Sequence, residues 1–537
     1  MKSITTWLGK NTNVLLLFLG IGLLVYLNVL GGSFVFDDEL LITRNQLIRS
    51  LESLPDFFNS SISSGAFVNG GNFFRPIQLF IYSIIYQLFK LEPLPYHFVS
   101  VLIHSFNGYL IFQLLRKLKI KAIPSLIAAL FYFLHPVHTQ AVSYISGIAD
   151  PLGLMFSLGS LLMVFKYQKE DKPKYFFWSV GLFVLAVLSK ESYFVTAPLA
   201  VVFGFISTKD LKFKQIKNQK LLFTLCAIAV IYVALKLTVF NFTGAVGLVN
   251  ESSVYTDNPF IRLSSFVGAI PEYLKLIFFP LHLFYEKHLL VSTTVMSVSG
   301  VIGLVTIVGL ITGSLWAYSK KEKLLLAGLL WIIISFLPFI GLIPLNAIYL
   351  EHWLYMPMGG VAIIIGWSLG KIGFPKNTGW LIYPIVAILG LFVVRIHLRN
   401  AQWADPVLFY ENEIEHGAAS ARVYNNLANE YSIRGELDEA IDLYTQSLEL
   451  RQDYPQTHHN LAYIQIRNGF VNEALDNFYK ALTLDTGFIY SHIELSKYFE
   501  RTGDIEKAKS FKLFAERIGQ DGEVTLAEIN KALGKTD

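Results

Sequence analysis

From residue 13 to residue 395 the chain is written in long apolar blocks separated by short polar or basic stretches. The blocks run for about 13–23 residues, and the longer of them reach the length at which a helix crosses the hydrocarbon core of a bilayer. Eleven are read as spans, at 13–30, 98–115, 122–134, 151–165, 175–188, 193–206, 221–239, 296–318, 324–340, 354–369 and 380–394. Two further apolar stretches fit a crossing less well. Residues 76–91 are short and read as interfacial or re-entrant; residues 262–280 hold Pro271, Glu272 and Lys275 and read as interfacial. The pattern predicts an all-α, polytopic membrane module over 1–399.

Beyond a linker at 400–419 the pattern becomes polar and amphipathic with a period of 34 residues. Gly435, Gly469 and Gly503 keep that spacing, as do Ala440, Ala474 and Ala508, and Leu427, Leu461 and Leu495. Tyr444 and Phe478 take a large slot that Leu513 fills one place off, and Ser447, Ala481 and Ala515 take a small one. This is the tetratricopeptide (TPR) period, two antiparallel helices per unit. The array over 420–537 comprises repeats at 421–454, 455–488 and 489–522 and a terminal capping helix. Such a solenoid presents a concave groove suited to a protein or peptide segment, or serves as a spacer.

Composition and charge add an orientation. Hydrophobic residues make up 53% of the chain and charged residues 16%, against about a quarter charged in soluble domains. Lys and Arg concentrate in cytoplasmic loops, and here they gather at 116–121, 166–174, 209–220 and 320–323 and at Lys371 and Lys376. Lys2 and Lys10 precede the first span, and no small-residue cleavage site follows it. The N-terminus is therefore expected inside and the repeat array outside. The net charge of +4 is small and the basic residues sit at helix ends, which argues against nucleic acid. One cysteine, Cys226, excludes an intrachain disulfide and a cysteine zinc site.

With that orientation, ionisable residues collect at the outer ends of the spans, where they are costly unless paired or facing water. Asp37, Asp38 and Glu39 open the first outer loop: a carboxylate there can take a proton from a hydroxyl, or the run is a solvated loop end or a helix cap. Arg75, at a helix start, can hold a phosphate bidentately or snorkel to headgroups. His135 and His138 can share a face toward a metal, bind phosphate or cap a helix. Lys190 and Glu191 form an internal ion pair or a phosphate ligand with its orienting acid. His97 and His104 lie on one helix face, and Asp150, Glu351 and His352 open later spans. No Walker loop, dinucleotide fingerprint or GxSxG elbow is present.

Taken in order, these segments resemble the transmembrane and TPR-repeat-containing (TMTC-like) O-mannosyltransferases of the GT-C glycosyltransferase superfamily. The resemblance rests on Phe36-Asp37-Asp38, Phe74-Arg75-Pro76, His97 and His104, His135-Pro136-Val137-His138-Thr139-Gln140-Ala141-Val142, Ala149-Asp150, Lys190-Glu191, Asp257-Asn258-Pro259, Glu351-His352-Trp353-Leu354-Tyr355-Met356-Pro357 and the TPR tail. It implies a GT-C fold, a polyprenyl-phosphate monosaccharide as donor and inverting transfer to a hydroxyl; from the residues themselves a metal is the minority reading, because no carboxylate partners His135 and His138 in sequence. Asp37 or Asp38 would be the base, and Arg75, His135, His138 and Lys190, with Glu191, Glu351 and His352, would serve the donor phosphate. Gln140, Ile148 and His352 depart from the family's Glu, Arg and Arg. Two other readings compete: a ligase or polymerase of lipid-linked oligosaccharides, and a membrane anchor that displays TPRs without catalysis.

Overall fold

A computed structural model describes residues 6–66, 73–217, 219–239, 255, 258–285, 291–345, 347–372, 382–416, 419–519 and 522–535. Asp257, Asn72 and Lys376 lie outside these residues, as does the start of the expected last span. Every regular element among the described residues is helical. The chain divides into two compact units, 1–405 and 406–537. The stretch expected as a linker is helical over Ile382–Ala404 and Pro406–Glu415.

Among the described residues of the first unit, five helices are long and apolar enough to cross a membrane: Pro93–Lys117, Ile145–Glu170, Gln219–Thr238, Val298–Ser319 and Ile382–Ala404. A sixth is a pair, Ala122–Phe133 and Pro136–Val142, bent by 47°. Shorter apolar helices occupy Asn11–Val25, Pro76–Phe89, Pro173–Ser189, Glu191–Ile206, Lys323–Phe339 and Pro357–Ile372. The chain is a multi-pass membrane protein. Residues 76–91 form the 14-residue helix Pro76–Phe89, and the 262–280 stretch lies in Pro259–Phe278, which carries Arg262, Glu272 and Lys275.

Local sequence sets these boundaries. Pro76, Pro93, Pro173 and Pro259 each sit in a first helical turn, where the missing N–H costs nothing. Asn258 caps its helix by accepting from the N–H groups of Phe260 and Ile261. The bend after Phe133 falls at His135-Pro136, because a residue before proline is pushed out of the helical region.

In the second unit the helices pair as Ala421–Arg434 with Leu437–Leu450, Pro455–Arg467 with Val471–Leu484, and Ile489–Thr502 with Ile505–Ile518. Leu526–Leu533 follows, opened by a reciprocal cap between Thr525 and Glu528. Gly435 and Gly503 end their helices at φ 84° and 85°, a left-handed turn that a side chain would strain. Ala440 and Ala474 are fully buried, so the helices cross at methyl distance there. The large-residue column holds for Tyr444 and Phe478 but not in the third unit. Leu513 is 54% exposed, and Phe511, fully buried, fills that place.

Phe478 packs among Ala462, Leu482, Leu495, Phe499 and Phe511 across two repeats. Truncation of such a side chain typically costs about 3–5 kcal/mol. Phe478→Ala should therefore shift the unfolding of the repeat unit to lower urea by that amount, read by far-UV circular dichroism of the purified protein.

Candidate active site

The first unit gathers the candidate residues into two charged groups and one buried aromatic group. The first charged group begins at Lys190, whose backbone is extended (φ −155°, ψ 130°) between two helices. Extended backbone turns neighbouring side chains to opposite sides, so Lys190 and Glu191 do not pair with each other. Lys190 Nζ donates to both oxygens of Asp150, at 2.8 and 2.7 Å. Glu191 receives Arg75 bidentately, Nε at 3.1 Å and Nη2 at 3.2 Å. Lys236 comes within 3.8 Å of Glu191 as a further cation. Arg75 also lies over the Phe73 ring at 4.4 Å. Three cations against two carboxylates leave the cluster one positive charge in excess. His352 is within its field: burial, then the charges of Lys190 and Arg75, holds the imidazole well below its usual pKa, hence neutral.

The second group is the acidic turn. Asp38 is 1% exposed. Its Oδ2 accepts from the Val35 N–H at 3.0 Å, and its Oδ1 from the Ser146 N–H at 2.8 Å and the Ser146 hydroxyl at 2.5 Å. Burial pushes its pKa up, to about 7, against the pull of these donors. Asp37 is half-buried. Its N–H donates to the Tyr144 hydroxyl at 3.1 Å, and its Oδ2 accepts from the Tyr285 hydroxyl at 3.2 Å. Glu39, the third acid, is half-exposed and pairs with Arg44. The two aspartates thus differ in kind: Asp38 fastens the turn to residues 145–148, and Asp37, half-buried, is held by two phenols.

Gln140 lies between the groups. Its Nε2 donates to the Tyr285 carbonyl at 2.8 Å, and its Oε1 accepts from the His352 N–H at 2.7 Å. A carboxylate here would lose the donated bond and set its charge against a carbonyl. The side chain is accordingly a bridge. Glu351 is buried, and its Oε1 accepts from the Phe284 N–H at 2.5 Å. Ile148, the second departure, packs in an apolar cluster with Tyr82, Tyr96 and Leu152, with no room for a guanidinium.

The histidines form the third group. His104 is fully buried, with Nδ1 on the Tyr355 hydroxyl at 2.7 Å and Nε2 on the Phe133 carbonyl at 2.9 Å. His138, also fully buried, lies among Tyr132, Tyr355 and His104 at ring-centroid distances of 4.6, 4.8 and 5.4 Å. His135 accepts from the Val137 N–H and contacts the Ile277 carbonyl through Nε2. His97 is 1% exposed on the same helix as His104. Among the described residues no three His, Cys, Asp or Glu side chains converge as a metal site.

Sequence reasoning passed over Tyr144, Ser146, Tyr285 and Lys236. Lys236 carried a signal, a charge in the last turn of an apolar helix; the tyrosines carried none. In the second unit, a hollow of about 500 Å³ is lined by Tyr463, Arg467, Glu494, Lys497 and Arg501 among others, from the first helices of the second and third repeats.

A family model described as dolichyl-phosphate-mannose-protein mannosyltransferase matches residues 75–237, and a TPR repeat model matches 428–469. Protein O-mannosyl-transferase F38B6.6 of Caenorhabditis elegans is 25% identical over 454 residues, 82% of this chain and 63% of that protein. Human protein O-mannosyl-transferase TMTC4 is 25% identical over 469 residues, 77% of this chain and 63% of that protein. The Xenopus laevis protein O-mannosyl-transferase tmtc2 is 36% identical over 159 residues, 28% of this chain and 18% of that protein. This chain thus spans under two thirds of the length of the relatives it matches. A crystal structure of ArnT from Cupriavidus metallidurans bound to undecaprenyl phosphate aligns with 90% of this chain and 80% of its own, at 15% identity and a TM-score of 0.38.

Removing one partner of a buried ion pair strands the other charge at a cost of about 3–5 kcal/mol. Asp150→Asn should lower thermal stability by that order, and Asp150→Leu combined with Lys190→Met by clearly less, measured by unfolding in detergent. Equal losses in the single and double variants would show that the pair is held by its surroundings.

Proposed function

We propose that this TMTC-like chain is an integral-membrane GT-C glycosyltransferase. It transfers a monosaccharide, mannose or another hexose, from a polyprenyl-phosphate donor to a hydroxyl, with inversion. The observation that carries the reading is the placement of a half-buried carboxylate, Asp37, linked through Tyr285, Gln140 and His352 to the buried ion pairs Arg75–Glu191 and Lys190–Asp150, with the partly exposed Lys236 at their edge as the excess positive charge. The names of the matched model and relatives support mannosyl transfer to protein.

In the reaction the acceptor oxygen attacks the anomeric carbon from the face opposite the phosphate. The bond between that carbon and the phosphate oxygen breaks, and the lipid phosphate leaves with the electron pair. Asp37 takes the acceptor's proton, and Asp38 holds the turn that carries it. Arg75, Lys190 and Lys236 offset the phosphate charge, while Glu191 and Asp150 aim them. Phosphate is a good leaving group, so one carboxylate suffices. His352 contributes its backbone to the Gln140 bridge, and His104 and His138 pack with Tyr355 as a buried aromatic group. The acceptor is Ser or Thr of a protein, and the TPR hollow, with three cations, two carboxylates and one tyrosine in its lining, is where a segment of that protein docks. The N-terminus is cytoplasmic, and catalysis and the repeats are on the non-cytoplasmic side.

Loss of a general base costs about 10²–10⁴ in rate. Asp37→Asn should lose transfer on that scale and keep donor binding; Arg75→Gln and Lys190→Gln should weaken donor binding roughly 10- to 100-fold, the worth of a hydrogen bond to a charged group. Full transfer in Asp37→Asn would remove the base from the mechanism.

Orientation has its own test. Cysteines placed in 209–220 should react with an impermeant maleimide only from the cytoplasm, and cysteines in the repeats only from the other side. Repeats labelled from the cytoplasm would separate them from the proposed acceptor face.

A further inference from the structure

We propose that Tyr285 is a positioning residue that holds Asp37 in its working orientation and ties it to the phosphate side of the site. The inference rests on the reading of Asp37 as the base and adds a residue to it.

The turn that carries Asp37 is strained. Phe36, immediately before it, has φ 59°, a left-handed conformation that costs a side-chain-bearing residue free energy and persists only where surrounding contacts over-determine it. Those contacts are present on both sides. Asp38 fastens the far end through Val35 and Ser146. On the near side the Tyr285 ring stands 4.2 Å from the Phe36 ring, and its hydroxyl donates to Asp37 Oδ2. The Tyr144 hydroxyl accepts the Asp37 N–H, and the Tyr144 ring stands edge-on to Tyr285 at 5.5 Å between centroids. Asp37 is therefore held by two packed phenols, one on its N–H and one on its carboxylate. Hydrogen bonds of this kind are strengthened in a low-dielectric setting.

Tyr285 is anchored from behind as well. Its carbonyl is held by Gln140, whose own carbonyl is held by the His352 N–H. Four residues earlier, the Leu281 carbonyl accepts from Arg395 Nε at 2.7 Å, and the Phe284 N–H is held by Glu351. The segment 281–285 is thus a strap with its main chain fixed to the 351–354 turn and to the last membrane helix, and its one phenol laid against the base. Tyr144 and Tyr285 both pack on Trp403, at 5.1 and 6.1 Å between ring centroids.

The test is Tyr285→Phe, which keeps the ring on Phe36 and Trp403 and deletes the hydroxyl. The turnover number should fall at least about tenfold, the equivalent of one hydrogen bond to a charged group. KM for the donor and the melting temperature should stay near wild type. The acid limb of the pH–rate profile should move to higher pH, because a donor to the ionised form of the base has been removed. Tyr144→Phe, which removes the hydroxyl that accepts the Asp37 N–H, should lower turnover in the same way and serves if Tyr285→Phe does not fold. Wild-type turnover and an unmoved acid limb in a folded Tyr285→Phe would overturn the proposal, as would a change confined to KM. Asp37→Asn separates the two levels: inactive Asp37→Asn beside wild-type Tyr285→Phe defeats only the positioning role, and active Asp37→Asn defeats the base itself.

Discussion

Everything in the first unit is arranged around the cost of placing charge inside a membrane protein. An isolated buried ion is penalised by several kcal/mol even after relaxation, so Arg75, Asp150, Lys190 and Glu191 are tolerated only as partners. The extended residue Lys190 makes this possible. By sending Lys190 one way and Glu191 the other, it lets one point of the chain satisfy Asp150 on the helix Ala149–Glu170 and Arg75 at the start of Pro76–Phe89. Lys236, from Gln219–Thr238, joins at the edge. Four helical segments are thereby fixed by charge, where apolar contact against lipid would give little preference for one neighbour over another.

The acidic turn obeys a related logic. Two adjacent carboxylates repel, and the structure separates them by environment. Asp38 is withdrawn into the protein and surrounded by three donors; Asp37 stays half-buried, held by two phenols. The division resembles that of other paired acids, in which unlike surroundings let one group do chemistry and the other hold structure. The turn that carries both opens on Phe36 in a left-handed backbone conformation, φ 59°.

The parts of this architecture legible in the sequence are those with local causes. The repeat unit announced itself because its glycines, alanines and leucines recur at a fixed interval, and the only column that slipped, Leu513, slipped where the spacing itself was imperfect. Apolar length marked the helices, and charges at their ends marked the residues that pair, Arg75 with Glu191 and Asp150 with Lys190. The partners did not show, because Arg75 and Glu191 are 116 residues apart and Asp37 and Tyr285 are 248 apart. A tyrosine in a loop carries no periodicity and no charge, so nothing in its neighbourhood distinguished Tyr285. Histidine placement was half legible: His97 and His104 do share a buried face, but the bonds of His104 to Tyr355 and Phe133 come from other segments.

Gln140 shows why a departure from a family pattern is better read by geometry than by subtraction. Counted as a missing acid, it weakens the site. Placed between the Tyr285 carbonyl and the His352 N–H, it is the one uncharged side chain of that length that can both donate and accept. An ionised glutamate would also add a negative charge between Asp37 and the cations. In a buried setting such like charges are poorly screened. With glutamine at 140 and a neutral imidazole at 352, the link between Asp37 and the cation cluster carries no charge of its own. The field there is set by Arg75, Lys190 and Lys236 against Asp150 and Glu191.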